Sequence, residues 1–345
     1  MPLTSKETGT IVDARVEGVT VAPAEPQAAA GPADALIEVR LTAIRYAARD
    51  INLYEFRRPD GAELPAYAPG AHIDLHLPNG LIRNYSLTVA KPEAGTYTFG
   101  IKRDGASRGG SRLIHDELKV GRIVKISAPR NDFPLDENAA HSVLIAGGIG
   151  ITPIWCMVQR LAELNRSFTL HYACGSRPEM AFLGALQGLP QARLHFDDEQ
   201  GRVLDVAAIV RAAPRAAQLY CCGPATMLSA FEAATADLPR AQVHVEYFTP
   251  KAQPSRTGGF IVELKRSGRE FFIPEGHSIL SVLLDEGIDV DYSCELGICG
   301  ACEQRVLAGE PEHRDSVLTE EEQAENQRVM ICCAGCKSER LVLDL

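Results

Sequence analysis

Beginning at residue 36, apolar and polar positions alternate in short runs, at 36–42, 72–77, 97–102 and 123–127, with Pro, Gly and Asn turns between them. A period of two broken by tight turns predicts antiparallel strands, here closing into a small barrel. The texture changes at Ser142. An apolar run at 143–146 meets glycines and a helical stretch reaching 164, followed by a strand at 168–173. Further strands are expected at 194–196, 218–221 and 243–247, with a helix near 226–235: the alternation of a parallel α/β sheet. Beyond them, 260–265 and 270–273 read as a hairpin around Ser267-Gly268, and 278–286 as a helix. The expected organisation is a flexible arm at 1–35, rich in Pro, Ala and Gly, a barrel at 36–138, an α/β domain at 139–249, a linker at 250–258 and a third domain at 259–345.

A chain of 345 residues with 46% hydrophobic residues is too long for one core, which agrees with several domains. It lacks a run of about 18 apolar residues and the features of a secretory signal, so no membrane association and a cytoplasmic location are expected. The net charge of −10 is unevenly spread: residues 259–345 carry 18 acidic and 8 basic side chains, and the rest of the chain carries 27 of each. An acidic third domain argues against nucleic acid and for steering toward a basic protein partner, although solubility alone would also favour it.

Six of the ten cysteines fall between 294 and 336. Crowding of this kind in a large chain points to metal rather than disulfides. Cys294, Cys299 and Cys302 follow C-x4-C-x2-C, the ligand spacing of a plant-type 2Fe-2S ferredoxin, with Cys332, Cys333 and Cys336 all available as a fourth ligand. Two bridged irons need four thiolates, and the small residues Gly297, Gly300 and Ala301 would let backbone N–H groups approach the sulfurs. The competing reading joins Cys333 and Cys336 to Cys299 and Cys302 in a structural zinc site of a non-redox binding protein; it leaves Cys294 unexplained.

The run Ser293-Cys294-Glu295-Leu296-Gly297-Ile298-Cys299-Gly300-Ala301-Cys302 resembles the ferredoxin loop of the phthalate dioxygenase reductase family, and Val329-Met330-Ile331-Cys332, Lys337-Ser338 and the final Leu341-Val342-Leu343-Asp344-Leu345 are similar too. The resemblance implies Cys332 as the fourth ligand, with Cys333 and Cys336 as extra thiols. It also implies a β-grasp ferredoxin domain behind a flavin barrel and a nucleotide-binding α/β domain. A pyridine nucleotide gives up a hydride and a cluster takes single electrons, so a flavin is the expected converter. Arg83-Asn84-Tyr85-Ser86-Leu87 resembles the R-x-Y-S-L flavin motif. Arg83 can fork onto a phosphate, the Tyr85 ring can pack on the flavin and Ser86 can hydrogen-bond near its N5. A second patch, Gly100 to Arg103 followed by Ser107-Arg108-Gly109-Gly110-Ser111 and a helix, would supply an anion site. From it the resemblance carries over Lys102, Gly110 and Ser111. The same resemblance implies FMN, with FAD as the alternative.

Gly147-Gly148-Ile149-Gly150-Ile151-Thr152-Pro153 is strand end, glycine turn and helix start, suited to a pyrophosphate. It is the G-G-x-G-x-T-P form of the reductase superfamily, so Gly147, Gly148, Gly150 and Thr152 are nucleotide-binding candidates. Cys222, in Cys222-Gly223-Pro224, and Phe248, closing Glu246-Tyr247-Phe248, also resemble superfamily motifs that place the cysteine near the nicotinamide and the aromatic over the flavin. Cys221, pointing oppositely, is expected to be core. Ser176 and Arg177 follow the second strand, where the adenosine ribose would lie; Arg177 keeps NADPH open, and the resemblance favours NADH. The implied activity is electron transfer from NADH through FMN and the cluster to the Rieske oxygenase of an aromatic-ring or O-demethylating system. A cytochrome P450 or other monooxygenase is the alternative partner. No acid–base residue is needed, and a monomer is expected.

Overall fold

The computed structural model describes residues 36–93, 95–105 and 109–345. The arm expected at 1–35, and Ser107 and Arg108 of the second flavin patch, lie outside the described residues.

Strands β1 (Ile37–Ala48), β2 (Ile51–Arg57), β3 (His72–His76), β4 (Ile82–Ser86), β5 (Thr96–Lys102) and β6 (Ile123–Ile126) form one antiparallel sheet, with helix α1 (Gly110–Glu117) after β5. Its order is β4-β3-β6-β1-β2-β5, and a bridge between Leu87 and Phe99 curls it into a barrel. Inward residues such as Leu41, Phe56, Ile73 and Phe99 are buried, as alternation requires. β1 runs six residues beyond the expected 42. Register shifts at Leu41/Ala43 and Tyr46/Ala48 break the period of two there and leave Tyr46 exposed, which hides the strand from a pattern search.

The second sheet is parallel: β7 (Ser142–Gly147), β8 (Phe168–Cys174), β9 (Ala192–Phe196), β10 (Gln218–Cys222) and β11 (Val243–Glu246), in the order β11-β10-β7-β8-β9. Helices α2 (Ile151–Glu163), α3 (Leu183–Leu186), α4 (Asp197–Gln200), α5 (Val206–Ala212) and α6 (Ala225–Thr235) accompany it. Two hydrophobic clusters cover its faces. Cys222 packs on one with Leu144 and Ala146, and Cys221 on the other with Val143 and Ile145. The strand order reverses between β7 and β10, the switch point at which such sheets bind ligands beyond their strand ends.

The third region contains β12 (Phe260–Leu264), β13 (Arg269–Ile273), α7 (Ile279–Asp285), β14 (Glu303–Ala308), β15 (Pro311–Glu312), α8 (Glu320–Glu325), β16 (Arg328–Met330), β17 (Gly335–Cys336) and β18 (Arg340–Leu343). Its main sheet is ordered β13-β12-β18-β14-β16, with the first strand parallel to the last, the ferredoxin arrangement. Capping boxes at Ser278/Ser281 and Thr319/Glu322 start α7 and α8. The segment 250–258 is irregular, as its Pro and Gly content implies, but it is tied to this region: the Ser255 N–H donates to the Cys333 carbonyl at 2.8 Å and its hydroxyl to Glu312 at 2.8 Å.

Candidate functional site

A cleft of about 850 Å³ is lined by β4 residues Arg83, Tyr85 and Ser86, by Glu246 and Phe248 at the end of the parallel sheet, and by Cys294 and Cys299 of the cysteine loop. That volume is in the range of cofactor sites. Tyr85 is fixed by stacking on Phe99, with ring centroids 5.6 Å apart and 3° between planes. Arg83 donates to the Ile82 carbonyl at 2.7 Å, and its side chain runs against the first residue of α1: a Cβ on Gly110 would meet Arg83 Nε at 2.6 Å. Glycine at 110 therefore lets a guanidinium and a helix N-terminus converge, the chemistry of a phosphate site. Lys102 ends β5 in an exposed position, and the Asp104 N–H donates to Ser111 Oγ at 3.2 Å.

Buried polar atoms on the cleft wall without a hydrogen-bond partner include His72 Nε2 and Glu246 Oε2. Burial holds the His72 imidazole below its ordinary value, with Arg130 adding to the effect. Burial likewise pushes the Glu246 carboxyl up to about 8, and the nearby Asp132 carboxylate reinforces the shift. A wall holding a neutral imidazole and a protonated carboxyl fits the polar edge of a ring cofactor. Register explains the place of Glu246: it is paired with Cys222 across β10 and β11, and the two side chains touch. Glu246, His72 and Asp74, discussed below, did not stand out in the sequence. The nearest signal was the position of Glu246 two residues before Phe248.

The glycine turn sits at the strand ends of the parallel sheet. A Cβ on Gly150 would lie 2.3 Å from the Cys222 carbonyl oxygen, so this turn and the Cys222-Gly223-Pro224 turn can meet only with glycine there. Gly147 packs likewise on Pro224, and Gly148 adopts a φ of 53°. Thr152 turns its hydroxyl to the Ile149 carbonyl at 3.0 Å and its methyl against Gly100 of β5, where the barrel meets this sheet. Ser176 donates to Glu179 at 3.2 Å. The Arg177 guanidinium is gripped bidentately by Glu199 at 2.8 and 2.9 Å and lies 4.2 Å over the Phe196 ring. Ser176, Arg177, the glycine turn and the buried Cys222 are not part of the cleft lining, whereas Arg83, Asn84, Tyr85, Ser86 and Phe248 are.

In the cysteine loop, the Cys294 thiol contacts Cys299 and the Cys302 thiol contacts Cys332. Backbone N–H groups of Leu296 and Ile298 face the Cys294 sulfur, Ala301 that of Cys299 and Gly297 that of Cys332. Among the described residues, no three His, Cys, Asp or Glu side chains are placed to hold one metal ion. Two pairs of thiols ringed by amides fit two bridged irons, each with two terminal sulfurs. Cys333 lies against Gly297, contacts the Cys332 thiol and donates to the Met330 carbonyl at 3.6 Å; Cys336 donates to the Glu310 carbonyl at 3.5 Å.

Residues 262–337 match the 2Fe-2S iron-sulfur cluster binding domain and residues 38–134 the oxidoreductase FAD-binding domain. The chain is 49% identical over 310 residues to the phenoxybenzoate dioxygenase subunit beta of Ectopseudomonas oleovorans, covering 90% of this chain and 97% of the relative. It is 43% identical over 320 residues to the vanillate O-demethylase oxidoreductase of a Pseudomonas species (strain HR199 / DSM 7063), covering 90% and 100%. Among solved structures, phthalate dioxygenase reductase, described as a modular structure for electron transfer from pyridine nucleotides to [2Fe-2S], matches with a TM-score of 0.72 and 36% identity over 90% of this chain and 98% of that one. The chain belongs to the phthalate dioxygenase reductase family. Its fold is that family's: an antiparallel flavin domain, a parallel-sheet nucleotide domain and a 2Fe-2S ferredoxin domain. An intact self-sufficient cytochrome P450 monooxygenase also matches, with a TM-score of 0.78 and 38% identity over 90% of this chain but only 41% of that one. Like its reductase relatives the protein is an oxidoreductase with flavin and iron-sulfur domains, the reductase component of an oxygenase system. No helix among the described residues is long and apolar enough to cross a membrane.

Proposed function

We propose that this reductase takes hydride from NADH and delivers single electrons, through FMN and a 2Fe-2S cluster, to the Rieske oxygenase of an aromatic-ring or O-demethylating system. The observation that carries the reading is the convergence of Arg83, Tyr85, Ser86, Glu246 and Phe248 with Cys294 and Cys299 in one cleft. When bound, the flavin would convert a two-electron hydride into single electrons for the cluster. Arg83 and the N-terminus of α1, with Lys102 and Ser111 nearby, hold the phosphate. Tyr85 and Phe248 would pack on the ring, and Ser86 would hydrogen-bond at its edge. Gly147, Gly148, Gly150 and Thr152 shape the pyrophosphate turn, Ser176 and Arg177 stand at the adenosine ribose, and Cys222 backs the nicotinamide. Cys294, Cys299, Cys302 and Cys332 ligate the cluster.

The grip of Glu199 on Arg177 favours NADH, since a neutralised guanidinium offers little to a 2′-phosphate. The partner docks at the acidic ferredoxin face, where Glu320, Glu321, Glu322 and Glu325 cluster on α8. Transfer from a plant-type cluster near about −400 mV to a Rieske centre at about −150 mV or above is downhill by about four decades. The protein works in the cytoplasm as a monomer that meets its oxygenase transiently. Likeness to the P450 structure favours a second reading, the same module feeding a cytochrome P450.

The test is purification with assay of visible absorbance, iron and sulfide, then of turnover with candidate oxygenases. Bleaching of flavin and cluster bands by NADH, and NADH-driven turnover by a Rieske oxygenase that weakens with salt, are expected. Protein lacking both flavin and iron would end the reading, and turnover with a P450 alone would move it to the second.

A further inference from the structure

Asp74 in β3 is a buried carboxylate served from three directions. Asn84, its cross-strand neighbour on β4, donates its side-chain amide to Oδ1. Arg130 donates to Oδ2 at 2.7 Å. The third donor is the hydroxyl of Ser293, 2.7 Å from Oδ1 and 219 residues away in sequence. Asn84 also donates to Ser293 Oγ at 2.9 Å, closing a triangle, while the Asp74 N–H donates to Ser127 Oγ at 2.9 Å. Asp74 and Ser293 are 4% and 2% exposed, so these bonds form away from water, where charge-assisted geometry is both strong and directional.

The chain positions of the partners give the triangle its meaning. Asn84 stands between Arg83 and Tyr85, both on the cleft wall, and Ser293 immediately precedes Cys294. One carboxylate thus ties the flavin strand to the cluster loop. An apolar contact here would permit sliding, since burial has no direction. A carboxylate sharing one oxygen between an amide and a hydroxyl does not.

We propose that Asp74 is a positioning residue: with Asn84 and Arg130 it latches Ser293, and so fixes the Cys294 loop in register with the flavin strand for electron transfer between the two sites. The inference rests on the function proposed above. Each NADH supplies two electrons and a proton as hydride; the electrons pass singly to the oxidised cluster and on to the acceptor protein, and the proton goes to water. The latch takes no part in that chemistry. It sets the separation and orientation across which each electron passes.

The test uses the full chain with Ser293→Ala and, on the barrel side of the latch, Asp74→Asn. Ser293→Ala leaves Asp74 with Asn84 and Arg130, so the barrel should stand. Three measurements separate the possibilities: flavin and cluster spectra with the rate of flavin reduction by NADH, the stopped-flow rate of the following flavin-to-cluster step, and hydrogen exchange of the amides at 293–296. Expected are unchanged spectra and flavin reduction, a flavin-to-cluster step slowed about tenfold, and loop amides exchanging about tenfold faster in both variants. In the double variant the effects should be non-additive, because both changes break the Ser293–Asp74 bond. A flavin-to-cluster rate within twofold of the parent in Asp74→Asn would overturn the latch, as would exchange confined to Ser293→Ala. Absence of flavin and cluster from the parent protein would instead overturn the function on which the latch rests.

Discussion

Cys222, at the end of the parallel sheet, and Cys294, in the cluster loop, are both buried, at 0% and 4% exposure, yet their thiols are driven in opposite directions. Burial and the neighbouring Glu246 carboxyl push the Cys222 thiol far up. Contact with Cys299, aided by the N–H groups of Ile298 and Leu296, holds the Cys294 thiol below its ordinary value despite burial. In a strand the amides are spent on neighbouring strands, so burial and the adjacent carboxyl act on the sulfur unopposed. In the loop, positive φ at Glu295, Gly297 and Gly300 frees the amides to turn inward. Equal burial thus leaves the two thiols opposed, because Cys294 has a thiol partner and two loop amides where Cys222 has a carboxyl.

The largest effects should come from crossing that line. Cys294→Ser or Cys332→Ser should abolish the cluster, with loss of its visible absorbance and of about two irons per chain, while NADH still reduces the flavin. Cys333→Ser should keep the cluster. Cys221→Ser, a buried change in β10, should cost about 1–3 kcal/mol of stability by denaturant titration and leave both cofactors bound. Loss of the cluster in Cys333→Ser but not in Cys332→Ser would reassign the fourth ligand.

Gly297→Ala tests the loop backbone without touching a sulfur. Gly297 has a φ of 70°, and an added Cβ would lie 2.4 Å from Cys333 Sγ. Strain and overlap together should destabilise by about 2–4 kcal/mol and lower cluster occupancy. Gly297→Ala with Cys333→Ala should recover the steric part but not the strain, so the double variant should lie between Gly297→Ala and the parent.

At the sheet edge, Glu246→Gln removes a carboxyl whose value rises from 4.5 to about 8 on folding. A raised carboxyl contributes stability that is fully present below the unfolded value and is lost as pH climbs to the folded one. The parent should therefore weaken relative to Glu246→Gln between about pH 4.5 and 8, by on the order of 5 kcal/mol, and run parallel to it above pH 8. Thermal unfolding of both proteins across that range measures the difference, and parallel curves throughout would show that Glu246 is ionised.

How much of this was legible depends on how far apart the partners lie in sequence. C-x4-C-x2-C, Arg83 to Ser86 and the glycine turn were visible because each packs its chemistry into about ten residues. Asp74 and Ser293 were not, since nothing at either position announces a partner 219 residues away. His72 looked like one polar member of an alternating strand, and Glu246 like a polar residue at a strand end. Their orphaned atoms exist only once three regions enclose them. The acidic excess over 259–345 told of charge but not of the capped helix at 320–325 that presents part of it beside the cleft. The second half of β1 was lost to its register shifts.

The smallest expected effect lies at the exposed rim of the parallel sheet. Arg177 and Glu199 are both nearly half exposed, so solvent screens their bidentate pair and its worth is modest. With Arg177 at the adenosine ribose, as proposed, the pair would act selectively, Glu199 occupying the donors that a 2′-phosphate would need. Glu199→Gln should leave folding, flavin and cluster unchanged and raise kcat/KM for NADPH about threefold to tenfold, with that for NADH within about twofold. Binding of 2′,5′-ADP should tighten in parallel, measured against 5′-AMP as a reference without the 2′-phosphate. Arg177→Ala should cancel the gain in the double variant, because the freed guanidinium is its source. If NADPH use rises in Glu199→Gln whether or not Arg177 is present, the pair is a surface contact and nucleotide choice is made elsewhere on the sheet edge.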